Sequence, residues 1–289
     1  ELAPDGRDAL LAEMTDEVAQ LVLRDNYDQA RALGTARAQA RLLLPVHRRM
    51  ISDLERSGRV DRALEALPSD EELAARGQAG AGLTTPELAV LMAYAKIVLK
   101  EEIVASSLPD DPWTREVLRE YFPSPLRERF ADRMADHPLR REIVTTALVN
   151  EAVNRGGISF VYRAVEETGA APEDVLRAYV IAREVFGLRE LWDAVRALDN
   201  RVDTAAQVAV YLGARRLLDR LVRWLLQNRR APLDVEGEIR RLRPGVSRLL
   251  PEVDTLFRGR EREGVRGYAD KLVSLGIPRD LADWTTRVV

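Results

Sequence analysis

Three polar side chains that could bind a ligand or cross-link helices recur four residues apart near the middle of the chain. They are Thr146, Asn150 and Asn154, and Arg155 follows the last of them. A spacing of four places this row on one side of a helix. Because a buried amide without a partner costs about 1 to 3 kcal/mol, the row either bonds a neighbouring helix or awaits a binding partner. Bonding between packed helices is the commoner arrangement.

The segment that carries this row is predicted to be a helix from Asp136 to Gly156. Asp136 and the following Pro138 suit a first helical turn. Gly156 and Gly157 provide the positive φ angles that end a helix. The row shares its side of the helix with several apolar residues, which predicts that this side is buried: Leu139, Ile143, Ala147 and Val153.

Residue patterns typical of enzymes and metal sites are missing from the sequence. The glycine cluster Gly77, Gly80 and Gly82 has the spacing GxxGxG, not GxGxxG, and follows a helical pattern instead of a strand. It is therefore interpreted as a flexible linker. His47 and His137 are far apart and have no carboxylate at metal-ligand spacing. An autonomous active site is not predicted.

The distribution of charged residues does not favour a charged binding partner. Arginines cluster between Arg215 and Arg243, but acidic residues are interleaved, which is typical of a solvated or ion-paired face. The net charge of −3 also argues against a nucleic-acid partner. Lys96 and Lys100 lie beside Glu101 and are interpreted as surface charges, since nothing in the sequence indicates that they are desolvated.

Length and composition describe a globular protein. The chain has 289 residues, of which 46% are hydrophobic, enough for a core in one large or two small domains. No apolar run approaches the length of a membrane span, and no export signal is recognisable. Cysteine is absent, which suits a reducing compartment. The expected location is the cytoplasm.

Helical periodicity runs through the whole chain. The first helix is predicted from Asp8 to Leu33, with Gly34 as its cap, and a short helical piece from Val60 to Leu67. Thr84 and Glu87 have the spacing of a capping box at the start of a further helix, whose first turn contains Pro86. Thr204 to Arg230 is expected to be the longest helix.

The fold class follows from the absence of any second strand-like run. Ile158 to Glu167 has a strand-like composition, but no partner strand exists, so it is predicted to be helical. We expect an all-α fold, a multi-helix array with orthogonal or bundled helices and no significant sheet. A smaller helical subdomain over residues 1–82 should precede a larger bundle over residues 83–289.

Several segments, in the same order, resemble the C-terminal region of the large bacterial NAD-specific glutamate dehydrogenases. They are Met14–Gln29, Leu83–Ile97, His137–Arg163, Ala182–Phe186 and Leu198–Asn200. The resemblance covers most of the chain up to Arg230.

The resemblance implies a helical segment that follows the catalytic part of a long enzyme. In that family the dehydrogenase domain, with its catalytic lysines and nicotinamide site, comes earlier in the chain. No catalytic, cofactor-binding or metal-binding residue can therefore be carried over to this sequence. The parent would convert glutamate, NAD and water to 2-oxoglutarate, ammonia and NADH. No cofactor is expected in this segment itself.

Three functions remain open from the sequence. The leading hypothesis is a non-catalytic domain with an interdomain, oligomerisation or regulatory role, whose partners are the catalytic domain of the same chain and other subunits of a homo-oligomer. The second is an effector-binding module, in which the polar row of Thr146, Asn150 and Asn154 lines a pocket for an anionic metabolite together with Arg155. The third is an arginine-rich nucleic-acid adaptor.

Overall fold

The computed structural model of the protein describes residues 3–288, which are helical with short connections and contain no strand. This confirms the predicted all-α fold. Sixteen α-helices occur in this described part: α1 (Pro4–Gln39), α2 (Leu44–Arg56), α3 (Asp70–Gln78), α4 (Thr85–Ala105), α5 (Thr114–Tyr121), α6 (Ser124–Arg129), α7 (Ala131–Met134), α8 (Arg140–Glu151), α9 (Phe160–Thr168), α10 (Pro172–Val185), α11 (Leu188–Arg196), α12 (Thr204–Asn228), α13 (Val235–Leu249), α14 (Val253–Leu256), α15 (Gly259–Ser274) and α16 (Arg279–Val288).

Three helical turns of other types lie between these α-helices in the described residues. Short 3₁₀ turns cover Leu108–Asp110 and Leu250–Glu252, and a single π-helical turn, called the π-turn below, covers Ala152–Gly156 directly after α8. Within residues 3–288 no helix has the length and apolar character needed to cross a bilayer.

The centre of the core is α10. Every residue from Asp174 to Arg183 is buried, since α10 contacts α4, α9, α11, α12 and α13. Arg177 is buried with them and donates to Asp111 (2.8 Å) and Asp174 (2.9 Å). Its charge is therefore matched inside the protein, as burial of a guanidinium requires.

One hydrophobic cluster extends from Ala32 to Val288. It contains buried residues on both sides of the predicted boundary between residues 82 and 83. The division into residues 1–82 and 83–289 stays a prediction.

The sequence features that predicted the start of α4 are confirmed. The backbone N–H of Thr84 donates to Glu87 Oε2 (2.7 Å), and Pro86 lies in the first turn. Arg76 of α3 also donates to both carboxylate oxygens of Glu87, at 2.6 and 2.9 Å. The same carboxylate thus caps α4 and joins it to α3.

The first helix is longer than the sequence predicted. Instead of ending at Gly34, α1 continues to Gln39 and spans 36 residues, so the expectation that the helix from Thr204 would be the longest is wrong. Ala32, Ala36 and Ala40 are buried. Packing of these small side chains holds the helix together through the glycine, whose cost in a helix is only about 1 kcal/mol.

Two further local predictions are wrong. Val60–Leu67 forms turns and not a helical piece. The glycine cluster is not a flexible linker, because Gly77 lies within α3 and Gly82 packs against the end of α1. A Cβ atom on Gly82 would lie 2.3 Å from the carbonyl carbon of Ala40. By contrast, the prediction that the strand-like segment after Ile158 is helical is confirmed by α9.

Candidate functional site

The four candidate residues lie at the end of α8 and in the π-turn. Thr146 and Asn150 belong to α8, and Asn154 and Arg155 to the π-turn; all four are half-buried. A π-turn is wider than an α-helical turn and is often found at functional sites.

The buried side of α8 differs from the predicted one. The fully buried positions of α8 are Val144, Thr145, Leu148 and Val149, and Leu139, expected on the core side, is 55% exposed. The sequence analysis treated residues 136 to 156 as one regular helix, but α8 begins only at Arg140. The predicted polar row therefore lies on the flank of the helix, and its proposed interdomain role stays a prediction.

Arg155 is held from two sides. Its Nη2 donates to Asp28 Oδ2 of α1 (2.8 Å), and its guanidinium lies over the ring of Trp192, 5.0 Å from the centroid. Its Nη1 and the neighbouring Asn154 Oδ1 are buried without a hydrogen-bond partner in the described structure. One donor and one acceptor thus remain unused in the π-turn.

Arg215 of α12 binds the carbonyl oxygens at the end of the π-turn. It is only 5% exposed, and it donates to the carbonyl oxygens of Arg155 (3.0 Å) and Asn154 (3.3 Å) and to Gln39 Oε1 (3.3 Å). Carbonyls at a helix end need such donors and attract positive charge. Burial lowers the pKa of Arg215 to about 10, so it is still charged at neutral pH.

Asp28 connects Arg155 to α1. It accepts from Arg31 Nη2 (2.7 Å) as well as from Arg155, and Arg31 Nη1 donates to the hydroxyl oxygen of Tyr211 (2.6 Å). Burial raises the pKa of Tyr211 to about 12. We call Asp28, Arg31, Arg155 and Arg215 the arginine joint. It fixes α1, the π-turn and α12 relative to one another.

Sequence reasoning missed how these residues combine. Arg215 stood out only as part of the basic cluster, and Asp28 and Arg31 were not singled out. Asp28 and Arg31 have the i,i+3 spacing of one helix. Their other partners are 60 or more positions away in the chain. No spacing rule within one helix could have indicated those distant contacts.

The interpretation of Lys96 as a surface charge is wrong. It is only 9% exposed, and burial lowers its pKa to about 8, helped by the neighbouring Lys100 and opposed by Asp25 of α1. Burial also lowers the pKa of Lys100. The sequence did contain a signal, because Lys96 stands one turn from both Met92 and Leu99 on the apolar side of α4.

His47 is buried in α2, and its Nδ1 has no hydrogen-bond partner among the described residues. Burial lowers its pKa to about 4, and the positive charge of Arg163 adds to this effect. The described residues hold no group of three His, Cys, Asp or Glu side chains arranged for a metal ion.

Acidification should therefore destabilise the fold through His47. The unfolded chain takes up the proton near pH 6.5, whereas the folded chain resists it down to about pH 4, so stability decreases as the pH falls through this window. Between pH 7 and pH 5 this effect should amount to about 2 kcal/mol. Urea unfolding at both pH values should show a smaller loss for His47→Gln than for the natural chain. His137→Gln is the matched control and should retain the full loss; equal losses in all three proteins would refute this assignment.

Several arginines of the basic cluster form ion pairs, in line with the predicted solvated or ion-paired face. Arg223 pairs with Glu167, and Arg243 with Glu184. Glu238 accepts from both Arg229 and Arg241, at 3.3 Å each. These carboxylates neutralise the face that the sequence showed as a run of arginines.

The glycine cluster does not fit a dinucleotide. Gly82 lies against the backbone of Ala40, and a Cβ atom on Gly80 would lie 3.3 Å from the guanidinium carbon of Arg41. A phosphate cradle needs open backbone N–H groups between a strand and a helix. This segment instead connects two helices and packs against a third.

Comparison with known proteins identifies the family. A family model described as "Glutamate dehydrogenase, C-terminal" matches residues 80–288. The chain belongs to this family. The resemblance inferred from the sequence is thereby confirmed.

Members of known identity match almost the whole chain. NAD-specific glutamate dehydrogenase of Mycobacterium tuberculosis is 46% identical over 278 residues, which cover 96% of this chain. The proteins of the same name from Halomonas elongata and Pseudomonas aeruginosa are 44% and 42% identical, over 98% and 96% of this chain. The glutamate dehydrogenase C-terminal chain spans only 17% of the length of each of these relatives.

Proposed function

We propose that this chain is a non-catalytic helical domain that packs against the rest of an NAD-specific glutamate dehydrogenase. In this proposal the parent enzyme oxidises glutamate with NAD and water to 2-oxoglutarate, ammonia and NADH, as a cytoplasmic homo-oligomer. The names of the relatives and their much greater length support a longer parent. The NAD and glutamate sites are assigned to that remaining part of the parent.

An exposed apolar stripe on α1 is the observation that carries this role. Leu11, Val18 and Val22 are 54%, 41% and 54% exposed. Their spacings of seven and four place them on one side of the helix. This side borders the buried face of α1, so the exposed stripe lies next to the residues that pack into the core. Contiguous exposed apolar surface of this kind typically marks an interaction site.

The surroundings of the stripe are acidic. Residues 5–28 contain seven acidic residues and two basic ones: Asp5, Asp8, Glu13, Asp16, Glu17, Asp25 and Asp28, against Arg7 and Arg24. Glu13 and Glu17 are already engaged by Arg129 and Ser124 of α6. Asp16 has no such partner in the described structure. We infer that the occupant is the parent chain outside these 289 residues, with an apolar patch and basic residues at its edge.

A nicked parent enzyme tests this role. A protease site inserted before Glu1 allows the domain to be cut from the remainder after folding, and the two pieces should still co-elute in size-exclusion chromatography. Leu11→Gln, Val18→Gln and Val22→Gln together should release the domain, because they remove apolar contact but preserve helix propensity.

Two exposed leucines provide the matched control. Leu249 and Leu256 lie in α13 and α14 and are 63% and 68% exposed. Their replacement by glutamine should leave co-elution intact. Co-elution of the triple α1 variant at the level of this control would exclude the α1 stripe as the docking face.

An effector-binding role is the second candidate. The unpartnered Arg155 Nη1 and Asn154 Oδ1 favour it, since they offer a donor and an acceptor on consecutive residues of the π-turn. Titration calorimetry of this chain with 2-oxo acids, amino acids and nucleotides tests it. Heat that disappears in Arg155→Met supports an effector site, and no heat with any of these ligands rules it out.

A further inference from the structure

Lys96 and Lys100, called the lysine pair below, are unusual within the described structure. Neither side-chain ammonium makes a hydrogen bond or an ion pair to another described residue, although the residue Lys96 is nine-tenths buried. They are two of the three lysines in the chain. A buried ammonium normally has a hydrogen-bonded opposite charge, because its desolvation is costly. The arginines Arg177 and Arg183 satisfy this rule inside the same fold, and Lys96 does not.

Position connects the lysine pair with the α1 stripe. The helix of the pair, α4, packs against α1, and Asp25 of α1 is near enough to Lys96 to act on it electrostatically. Val22 precedes Asp25 by one helical turn. On α4, Ile97 is 47% exposed and lies one turn before Lys100. Two cationic groups are thus bordered by apolar side chains of both helices.

This combination is typical of the centre of a protein interface. Interface energy concentrates in charged or aromatic groups that become fully desolvated, surrounded by apolar contacts that exclude water. A charge that is unpaired in one partner is then neutralised by the other. The negative charge of Asp25 disfavours a free multivalent anion near the pair. A single carboxylate presented by a protein surface avoids this repulsion, because its own neighbours can be basic.

We propose that the lysine pair receives an aspartate or glutamate side chain from the part of the parent enzyme outside these 289 residues. The carboxylate lies between Lys96 and Lys100, while Val22 and Ile97 cover it from solvent. This inference rests on the proposed interdomain role and assigns its polar anchor. It implies that Lys96 lowers the stability of the separate domain and contributes to binding in the complete enzyme.

Methionine substitution tests the proposal, because it preserves much of the side-chain length and removes the charge. Lys96→Met with Lys100→Met should leave the thermal stability of the 289-residue chain equal or higher, since a buried unpaired charge is lost. In the nicked parent enzyme the same pair of substitutions should raise the dissociation constant of the domain by about tenfold or more. Lys271→Met, at an exposed position, is the control and should change neither quantity.

The outcomes separate this inference from the proposed role. If the lysine variant binds as tightly as the natural domain while the triple α1 variant is released, the interdomain role stands and the carboxylate anchor is refuted. If neither variant is released, both the α1 stripe as the docking face and the carboxylate anchor are refuted. A third outcome would also overturn the anchor: if inorganic phosphate raises the melting temperature of the natural chain but not of Lys96→Met, the pair binds a free multivalent anion.

Discussion

Gly82→Ala is expected to lower the free energy of unfolding by roughly 3 kcal/mol, at the upper end of overpacking effects. The added Cβ would lie 2.3 Å from the carbonyl carbon of Ala40, 2.5 Å from its oxygen and 2.6 Å from the nitrogen of Arg41. All three are backbone atoms, so no side chain can rotate away. Relief requires that the segment before α4 moves off the end of α1.

Gly34→Ala, within α1, is expected to change the free energy of unfolding in the opposite direction. An added Cβ at Gly34 meets no atom within 4 Å, and the residue lies inside the helix. Alanine should therefore stabilise the chain by about 0.5 to 1 kcal/mol. Chemical denaturation of both variants measures the two effects. Equal stabilities for Gly82→Ala and the natural chain would show that the close packing of this segment is not maintained in solution.

Arg183→Met should have the second large effect, a loss of about 3 kcal/mol or more. Arg183 is buried in α10 and donates from Nη1 to Glu151 Oε2 (2.7 Å) and from Nε to Glu184 Oε1 (2.9 Å). Burial alone would raise the pKa of Glu151, but Arg183 and Arg189 hold it below its usual value. Removing Arg183 leaves the half-buried Glu151 carboxylate with only the hydroxyl of Tyr179 as a direct partner.

A double-mutant cycle distinguishes the charge effect from lost packing. Glu151→Gln in the Arg183→Met background should recover part of the stability, because no uncompensated carboxylate remains. Arg49→Met is the control, since Arg49 and Glu166 form a comparable pair at the surface (3.1 Å) whose removal should cost less than about 1 kcal/mol. The assignment fails if Arg183→Met costs no more than Arg49→Met.

Features encoded within a few residues were predictable from the sequence. The capping box of Thr84 and Glu87 depends on atoms three residues apart, and the structure reproduces it. The helical fate of the segment after Ile158 followed from the absence of a partner strand. Helix ends that depend on packing were not predictable: α1 passes through Gly34 because alanines on its buried side contact the core.

The candidate site was predictable only in part. The sequence drew attention to Asn154 and Arg155, but not to the π-turn that contains them or to Arg215, which closes it from a helix 60 residues later. Lys96 was misjudged because the charged residues that follow it, Lys100 and Glu101, suggested a solvated side, whereas its neighbours one turn away are buried. Charge next to charge in a sequence does not reveal which side of a helix faces the core.

Hydroxyl-radical footprinting tests the central claim most directly. The modification rate of the α1 peptide that contains Val18 and Val22 is compared between the separate 289-residue chain and the complete parent enzyme, with the exposed Leu64 as the internal reference. Docking of α1 against the rest of the enzyme predicts a several-fold lower rate in the parent, with the rate at Leu64 unchanged. Equal rates in both proteins would contradict the account, because the α1 stripe would then remain in solvent in the assembled enzyme.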